Sequence, residues 1–145
     1  MTTSKNQTIM VETTVNTSIE KVWIIWNASE HITKWATGSP DWHTSYAEND
    51  LRVGGKFRSR MEAKDGSASF DFIGTYTEVD KNKLIAYTME DGRKATITFS
   101  MNGGRTTVTE TFEAEHENPA EMQRQGWQTI LDNFKAHVES AAEYL

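Results

Sequence analysis

Glu110 stands where its side chain has the most unusual chemistry available to it. It is in phase with Val108 and Phe112 on a stretch whose other face carries Thr107, Thr109 and Thr111, so strand alternation aims the carboxylate to the apolar side. An ionised carboxylate there is unfavourable unless it meets an arginine, a tyrosine hydroxyl or a bound ligand; otherwise its pKa rises. Such a group can anchor the polar end of a ligand or act as a general base. The alternative is a bulged or mouth position where it reaches water. His43, next to Asp41 and Trp42, is a second candidate acid-base group near the mouth of any cavity. His31 and His116 fall in polar segments and are expected to be solvated, and His137 sits at the edge of an apolar helix face beside Val138. No His-x-x-x-His, His-Glu pair or carboxylate cluster has metal-ligand spacing, no glycine-rich loop leads into a phosphate-binding helix, and there are no cysteines. No metal, nucleotide or other cofactor is expected.

These residues need elements to position them. Ile9, Val11, Thr13 and Val15 alternate with polar neighbours, which predicts a strand over 7–15. Thr17 and Glu20 have capping-box spacing and predict a short helix from about Ser18. A second short helix is expected from Glu30 to Trp35, ending before Gly38 and Pro40. From Trp42 to about Glu115, strand-like segments are separated by Gly54-Gly55, Asp65-Gly66, Asp80 to Lys83, Asp91-Gly92 and Asn102-Gly103-Gly104. That is turn chemistry at meander spacing, with six strands between five turns. Asn118-Pro119-Ala120-Glu121 then opens a helix. Met122, Gly126, Trp127, Ile130, Leu131, Phe134, Val138 and Ala141 give it an apolar face that predicts continuation to about Tyr144. From 119 to 144 it would span roughly 39 Å, enough to cross a sheet.

Composition narrows the function classes. The 145 residues suit one domain, 1–145, and 15 basic against 21 acidic residues give a net charge of −6. Without a basic patch, nucleic acid is not an expected partner. The longest apolar run, Val22 to Trp26, is far short of the roughly 20 residues that cross a bilayer, and the N-terminus has no signal-peptide pattern. A soluble cytoplasmic protein without membrane insertion is expected. Only 37% of residues are hydrophobic, yet five Trp, four Tyr, six Phe and six Met are present, large adaptable side chains suited to lining a cavity or filling a core.

The element order and several short words carry a resemblance. Val53-Gly54-Gly55-Lys56-Phe57, Phe72-Ile73-Gly74-Thr75-Tyr76-Thr77-Glu78-Val79, Leu84-Ile85-Ala86-Tyr87-Thr88 and Gln125-Gly126-Trp127 with Leu131 resemble the domain named for the activator of the ninety-kilodalton heat-shock-protein ATPase, C-terminal type. That family lies within the START-like helix-grip superfamily of polyketide cyclases and birch-pollen-type allergens. The resemblance covers roughly residues 8 to 140. It implies an α+β helix-grip fold: a curved antiparallel sheet of six to seven strands wrapped around a long C-terminal helix, with two short helices after the first strand. It also implies a cavity between sheet and helix, since family members commonly hold one.

On that scaffold, alternation turns Phe57, Ser59 and Met61 inward and Arg58, Arg60 and Glu62 outward. Phe70, Phe72, Gly74 and Tyr76 share the inner face, as do Ile85, Tyr87 and Met89, then Ile97, Phe99 and Met101. A register shift of one residue would reverse every assignment and bring the arginines inside. Arg93, in the Asp91-Gly92-Arg93 turn, reads as part of a solvated charged surface. Gly126 is disfavoured by about 1 kcal/mol relative to alanine within a helix, and either close helix-to-sheet contact or room for a ligand would explain it. The expected ligand-binding set is Trp26, Trp35, Phe57, Met61, Phe72, Tyr76, Tyr87, Phe99, Met101, Glu110, Met122, Gly126, Trp127 and Ile130. The expected partner is a hydrophobic or aromatic small molecule, lipid or polyketide-like. The rival readings are a cyclase- or hydrolase-like enzyme with Glu110 or His43 as its acid-base group, and a co-chaperone that stimulates a heat-shock ATPase. The sequence does not set the oligomeric state.

Overall fold

The computed structural model describes residues 7–36 and 41–141. The expected helix stop at Gly38 and Pro40 and the helix end near Tyr144 lie outside the described residues. The chain runs β1 (Thr8–Val15), α1 (Ile19–Asn27), α2 (Ser29–Trp35), β2 (Trp42–Asn49), β3 (Lys56–Ala63), β4 (Ser69–Asp80), β5 (Leu84–Met89), β6 (Lys94–Asn102), β7 (Arg105–Glu113) and α3 (Ala120–Ala141). Each turn expected between β2 and β7 is where the sheet reverses. Gly54, Gly66, Gly92, Gly103 and Gly104 all have positive φ, the conformation that glycine adopts without a Cβ clash.

All seven strands form one antiparallel sheet in the order β1-β7-β6-β5-β4-β3-β2. Only β1 leaves sequence order: it pairs with the last strand, and α1 with α2 carries the chain to the opposite edge, where β2 begins. Irregular register between Thr44 and Tyr46 interrupts the β2–β3 ladder at one edge, and between Tyr76 and Glu78 the β4–β5 ladder inside the sheet. The sheet curls into a half-barrel around α3. Among the described residues no helix is long and apolar enough to cross a membrane.

The expected capping box does not form. Ser18, in extended conformation, is the N-cap of α1 and makes no side-chain cap bond. The box spacing needs Thr17 at that place, one residue too early. Instead the Thr17 carbonyl accepts a bond from Thr106 Oγ1 at 2.9 Å, which ties the helix entry to β7.

The two halves of α3 pack differently. Leu131, Phe134 and Val138 are fully buried, whereas Trp127 and Ile130 are half-buried and Met122 and Gly126 are exposed. The second half seals against a cluster in which Trp26 meets Trp35 and Phe134 at ring distances of 4.8 Å and Phe99 at 5.8 Å. The first half is bonded to the β1 edge, Arg124 donating to the Met10 carbonyl at 2.6 Å and Gln128 to the Glu12 carbonyl at 3.2 Å, and interior space remains between it and the strands farther across the sheet.

Two glycines test this packing in opposite directions. A Cβ on Gly74 would lie 2.3 Å from Phe57 Cε2 and 3.1 Å from Tyr87 Cδ1, so Gly74→Ala is expected to destabilise by about 1–3 kcal/mol through overpacking. A Cβ on Gly126 would meet nothing within 4 Å, so close helix-to-sheet contact does not explain that glycine. Gly126→Ala is expected to stabilise by about 1 kcal/mol. Urea midpoints at unchanged m-value would read both.

Candidate functional site

A cavity of about 320 Å³ lies between the sheet and the helices, at the lower end of the roughly 300–1,000 Å³ typical of ligand sites. Its floor comes from alternate residues of four strands: Phe57, Ser59 and Met61 of β3, Phe70, Phe72 and Tyr76 of β4, Ile85 and Tyr87 of β5, and Glu110 of β7. Trp26 of α1, Ile32 and Trp35 of α2 with the following Ala36, and Trp127 and Ile130 of α3 cover it. Phe57 organises the floor, meeting Phe72 and Tyr76 at 5.4 Å and Tyr87 edge-on at 4.8 Å. It fits because Gly74, opposite it across the β3–β4 ladder, has no side chain.

Glu110 points inward and is 6% exposed, between Ile97 on β6 and Val11 on β1. No described residue hydrogen-bonds its carboxyl, and burial alone pushes its pKa up to about 8. The register is therefore the expected one, and β7 pairs on both sides of Glu110 without a bulge. Tyr87, buried on the same wall, is likewise without a hydrogen bond from the described residues. Its pKa rises well above the ordinary phenol value, mainly through burial and secondly through the Glu110 charge. The Tyr76 hydroxyl, by contrast, donates to Asn49 Oδ1, and Asn49 Nδ2 donates to the Asn27 carbonyl at 2.8 Å. Arg93 also reaches the cavity wall, held by Asp91 at 2.7 Å and the Glu113 carbonyl at 3.2 Å.

Outside this cavity lies a shallower recess of about 380 Å³ that shares Met61, Phe70, Trp127 and Ile130 with it and adds Trp42, His43, Met122 and Gly126. It forms the vestibule. His43 thus lines the vestibule, with its Nε2 3.8 Å from Glu62 Oε1.

Ten of the fourteen expected ligand-contacting residues line the inner cavity: Trp26, Trp35, Phe57, Met61, Phe72, Tyr76, Tyr87, Glu110, Trp127 and Ile130. Four do not. Phe99 packs edge-on against Trp23 at 5.2 Å and fills core instead. Met101, one alternation further along, lies beyond those rings beside the β6–β7 turn and is 53% exposed. Met122 and Gly126 line the vestibule instead.

Arg93 was expected on a solvated surface; it lines the cavity instead, its guanidinium reaching across to the Glu113 carbonyl at the end of β7. Ile32 and Ala36 were not expected at the site, and only the path of α2 brings them there. Ser59, Phe70 and Ile85 were readable as inward residues from alternation alone. The histidines expected to be bland include a pair: His31 Nδ1 and His137 Nε2 are 2.8 Å apart and join α2 to α3. Burial, then His31 and Lys34, lowers the His137 pKa.

Residues 16–139 match the family model described as Activator of Hsp90 ATPase homolog 1-like protein. The chain belongs to this family. No curated protein matches it. An AHSA1-like protein from Aeromonas hydrophila, solved by NMR, is 45% identical over 94% of both chains, with a TM-score of 0.88. A Cytophaga hutchinsonii protein is 50% identical over 94% of this chain and 95% of its own, with a TM-score of 0.80. A Nitrosomonas europaea protein with the same TM-score is only 20% identical, over 94% and 97%, so the scaffold persists when most side chains change.

The buried carboxyl has a thermodynamic signature. In the unfolded chain Glu110 ionises at its ordinary value of 4.5, while the folded protein keeps the proton up to about 8. Between these values the unfolded state binds fewer protons, so this group's contribution to stability falls as pH rises. The slope is about 1.4 kcal/mol per pH unit, levelling off above the folded pKa. Glu110→Gln removes the effect. Urea denaturation across that window should show the variant gaining on the parent as pH rises; parallel pH profiles would contradict the assignment.

Proposed function

We propose that this chain is a small-molecule binding protein that holds an apolar or aromatic ligand between the curled sheet and α3. The observation that carries this reading is an aromatic-walled space containing a carboxyl and a hydroxyl with no hydrogen-bond partner among the described residues. A core built only for stability would fill that volume and leave no such groups. The ligand-contacting residues proposed are the ten named above, with Ser59, Ile85 and Arg93 added.

Two other readings each have one observation behind them. A Glu110 pKa of about 8 lies close enough to neutrality for general acid-base catalysis. Its weakness is the absence of a second activated group beside Glu110 among the described residues, since His43 sits in the vestibule. The description of the matched family favours a co-chaperone role. That role would require stimulation of a heat-shock ATPase by saturating protein, and no stimulation would remove it.

The deciding experiment is an NMR titration against fatty acids, sterols and fused-ring aromatics. Saturable indole shifts are expected at Trp26, Trp35 and Trp127, with Trp23 silent because it packs only into the core. Ile130→Trp, placed between vestibule and cavity, should weaken binding at least roughly tenfold, about 1.4 kcal/mol. For any ligand that is also turned over, Glu110→Gln should abolish turnover while sparing binding if the carboxyl does chemistry. Absence of shifts across the panel would overturn the binding reading.

A further inference from the structure

The cavity's polar groups differ in whether the protein already uses them. The Tyr76 hydroxyl is engaged by Asn49, and Arg93 is engaged by Asp91 and the Glu113 carbonyl. The Ser59 hydroxyl on β3 is not engaged by any described residue, and neither are Glu110 on β7 and Tyr87 on β5, although all three are buried. The strand between β5 and β7 contributes only Ala95 opposite Tyr87 and Ile97 opposite Glu110. Ala95 is small, and the carboxyl is near enough for its charge to raise the hydroxyl's pKa.

Tyr87 is the titratable group that faces Glu110. Among the described residues no cation acts on the carboxyl, whose shift comes from burial. Near neutral pH Glu110 is therefore a neutral acid, and a carboxylic acid kept neutral by apolar surroundings donates a hydrogen bond. The phenol donates as well. A cationic ligand would share the wall with the Arg93 guanidinium and would require Glu110 to ionise. An anionic ligand would find that guanidinium already paired.

We propose that Glu110 and Tyr87 form a two-donor site for a neutral carbonyl oxygen carried on an otherwise apolar, ring-containing ligand. This rests on the binding reading above and adds the chemistry of the ligand's polar end. Leaving two buried donors unpaired is unfavourable, so an isostere without the acceptor binds much more weakly.

The test is calorimetry at about pH 6.5, below the folded Glu110 pKa of about 8, with four naphthalenes of similar size: 2-acetylnaphthalene, 2-ethylnaphthalene, 2-(aminomethyl)naphthalene and 2-naphthoate. The ketone is expected to bind at least roughly tenfold more tightly than each of the others. Tyr87→Phe and Glu110→Met should each remove most of that preference while sparing the ethyl compound. Glu110→Gln, which keeps an N–H donor, should retain it. Equal, saturable binding of the ketone and ethyl compounds would overturn the donor site and leave the binding reading intact. Tighter binding of the amine or the naphthoate would overturn it in favour of a charged ligand. If no naphthalene binds, both readings fall. The wild-type comparison decides even if a variant does not fold.

Discussion

The stack of Trp127 on Phe112, with centroids 3.8 Å apart and planes 9° from parallel, sets the height of the cavity. It is the point where the first half of α3 touches β7, and Phe112 is the next inward residue after Glu110 on that strand. Trp127 also meets Phe72 edge-on at 6.4 Å, so one indole spans from β7 to β4 across the open interior. Aromatic pairs of this kind contribute about 0.5–1.5 kcal/mol beyond the area they bury. Further along the helix, Phe134 reaches Trp26 and Trp35 and the gap closes. The cavity therefore lies beside the Trp127 end of α3, between that indole and the strands, and ends where Phe134 packs on Trp26 and Trp35.

The two faces of the sheet solve their polar problems differently. On the outer face Arg58 and Arg60 meet Asp71 at 2.9 and 3.8 Å, and Arg60 meets Glu62 at 3.4 Å. These are part-exposed pairs of the kind that adds roughly 0–1 kcal/mol each. Inside, Glu110 has no such partner. A sequence selected only for stability would carry an apolar residue between Val108 and Phe112, and local departures from that logic concentrate where a fold does its work. The protein tolerates the departure because neutralising one carboxyl by protonation is far less unfavourable than burying its charge.

Much of this was legible in the sequence because strands and turns are local. Period-two alternation places Phe57, Phe72, Tyr87 and Glu110 on one face without tertiary information, and the glycine- and asparagine-containing turns mark where the meander strands end. What alternation cannot supply is how far the covering helices extend. Phe99 and Met101 share the phase of Ile97, yet one is capped by Trp23 and Trp26 and the other lies past them. Arg93 was hidden for a similar reason: its neighbours Asp91 and Gly92 spell a turn, and turns are read as solvated. The His31–His137 contact joins residues 106 apart on two helices whose mutual packing leaves no periodic trace.

The same distinction separates what fixes the scaffold from what fixes its occupant. The half-barrel depends on a pattern of apolar positions, two irregular ladder sites and the turns, all of which many sequences satisfy. Recognition depends on a few side chains at particular places, because the aromatic walls discriminate weakly among apolar shapes while an unpaired buried donor discriminates strongly. Family membership accordingly fixes the first and leaves the second to individual residues. In this chain the inner face offers many apolar contacts but few polar groups, and the Glu110 carboxyl and the Tyr87 and Ser59 hydroxyls, which have no partner among the described residues, can all donate. A ligand that fills the volume without meeting them leaves their desolvation uncompensated, so the polar end of the ligand, more than its bulk, decides what this cavity selects.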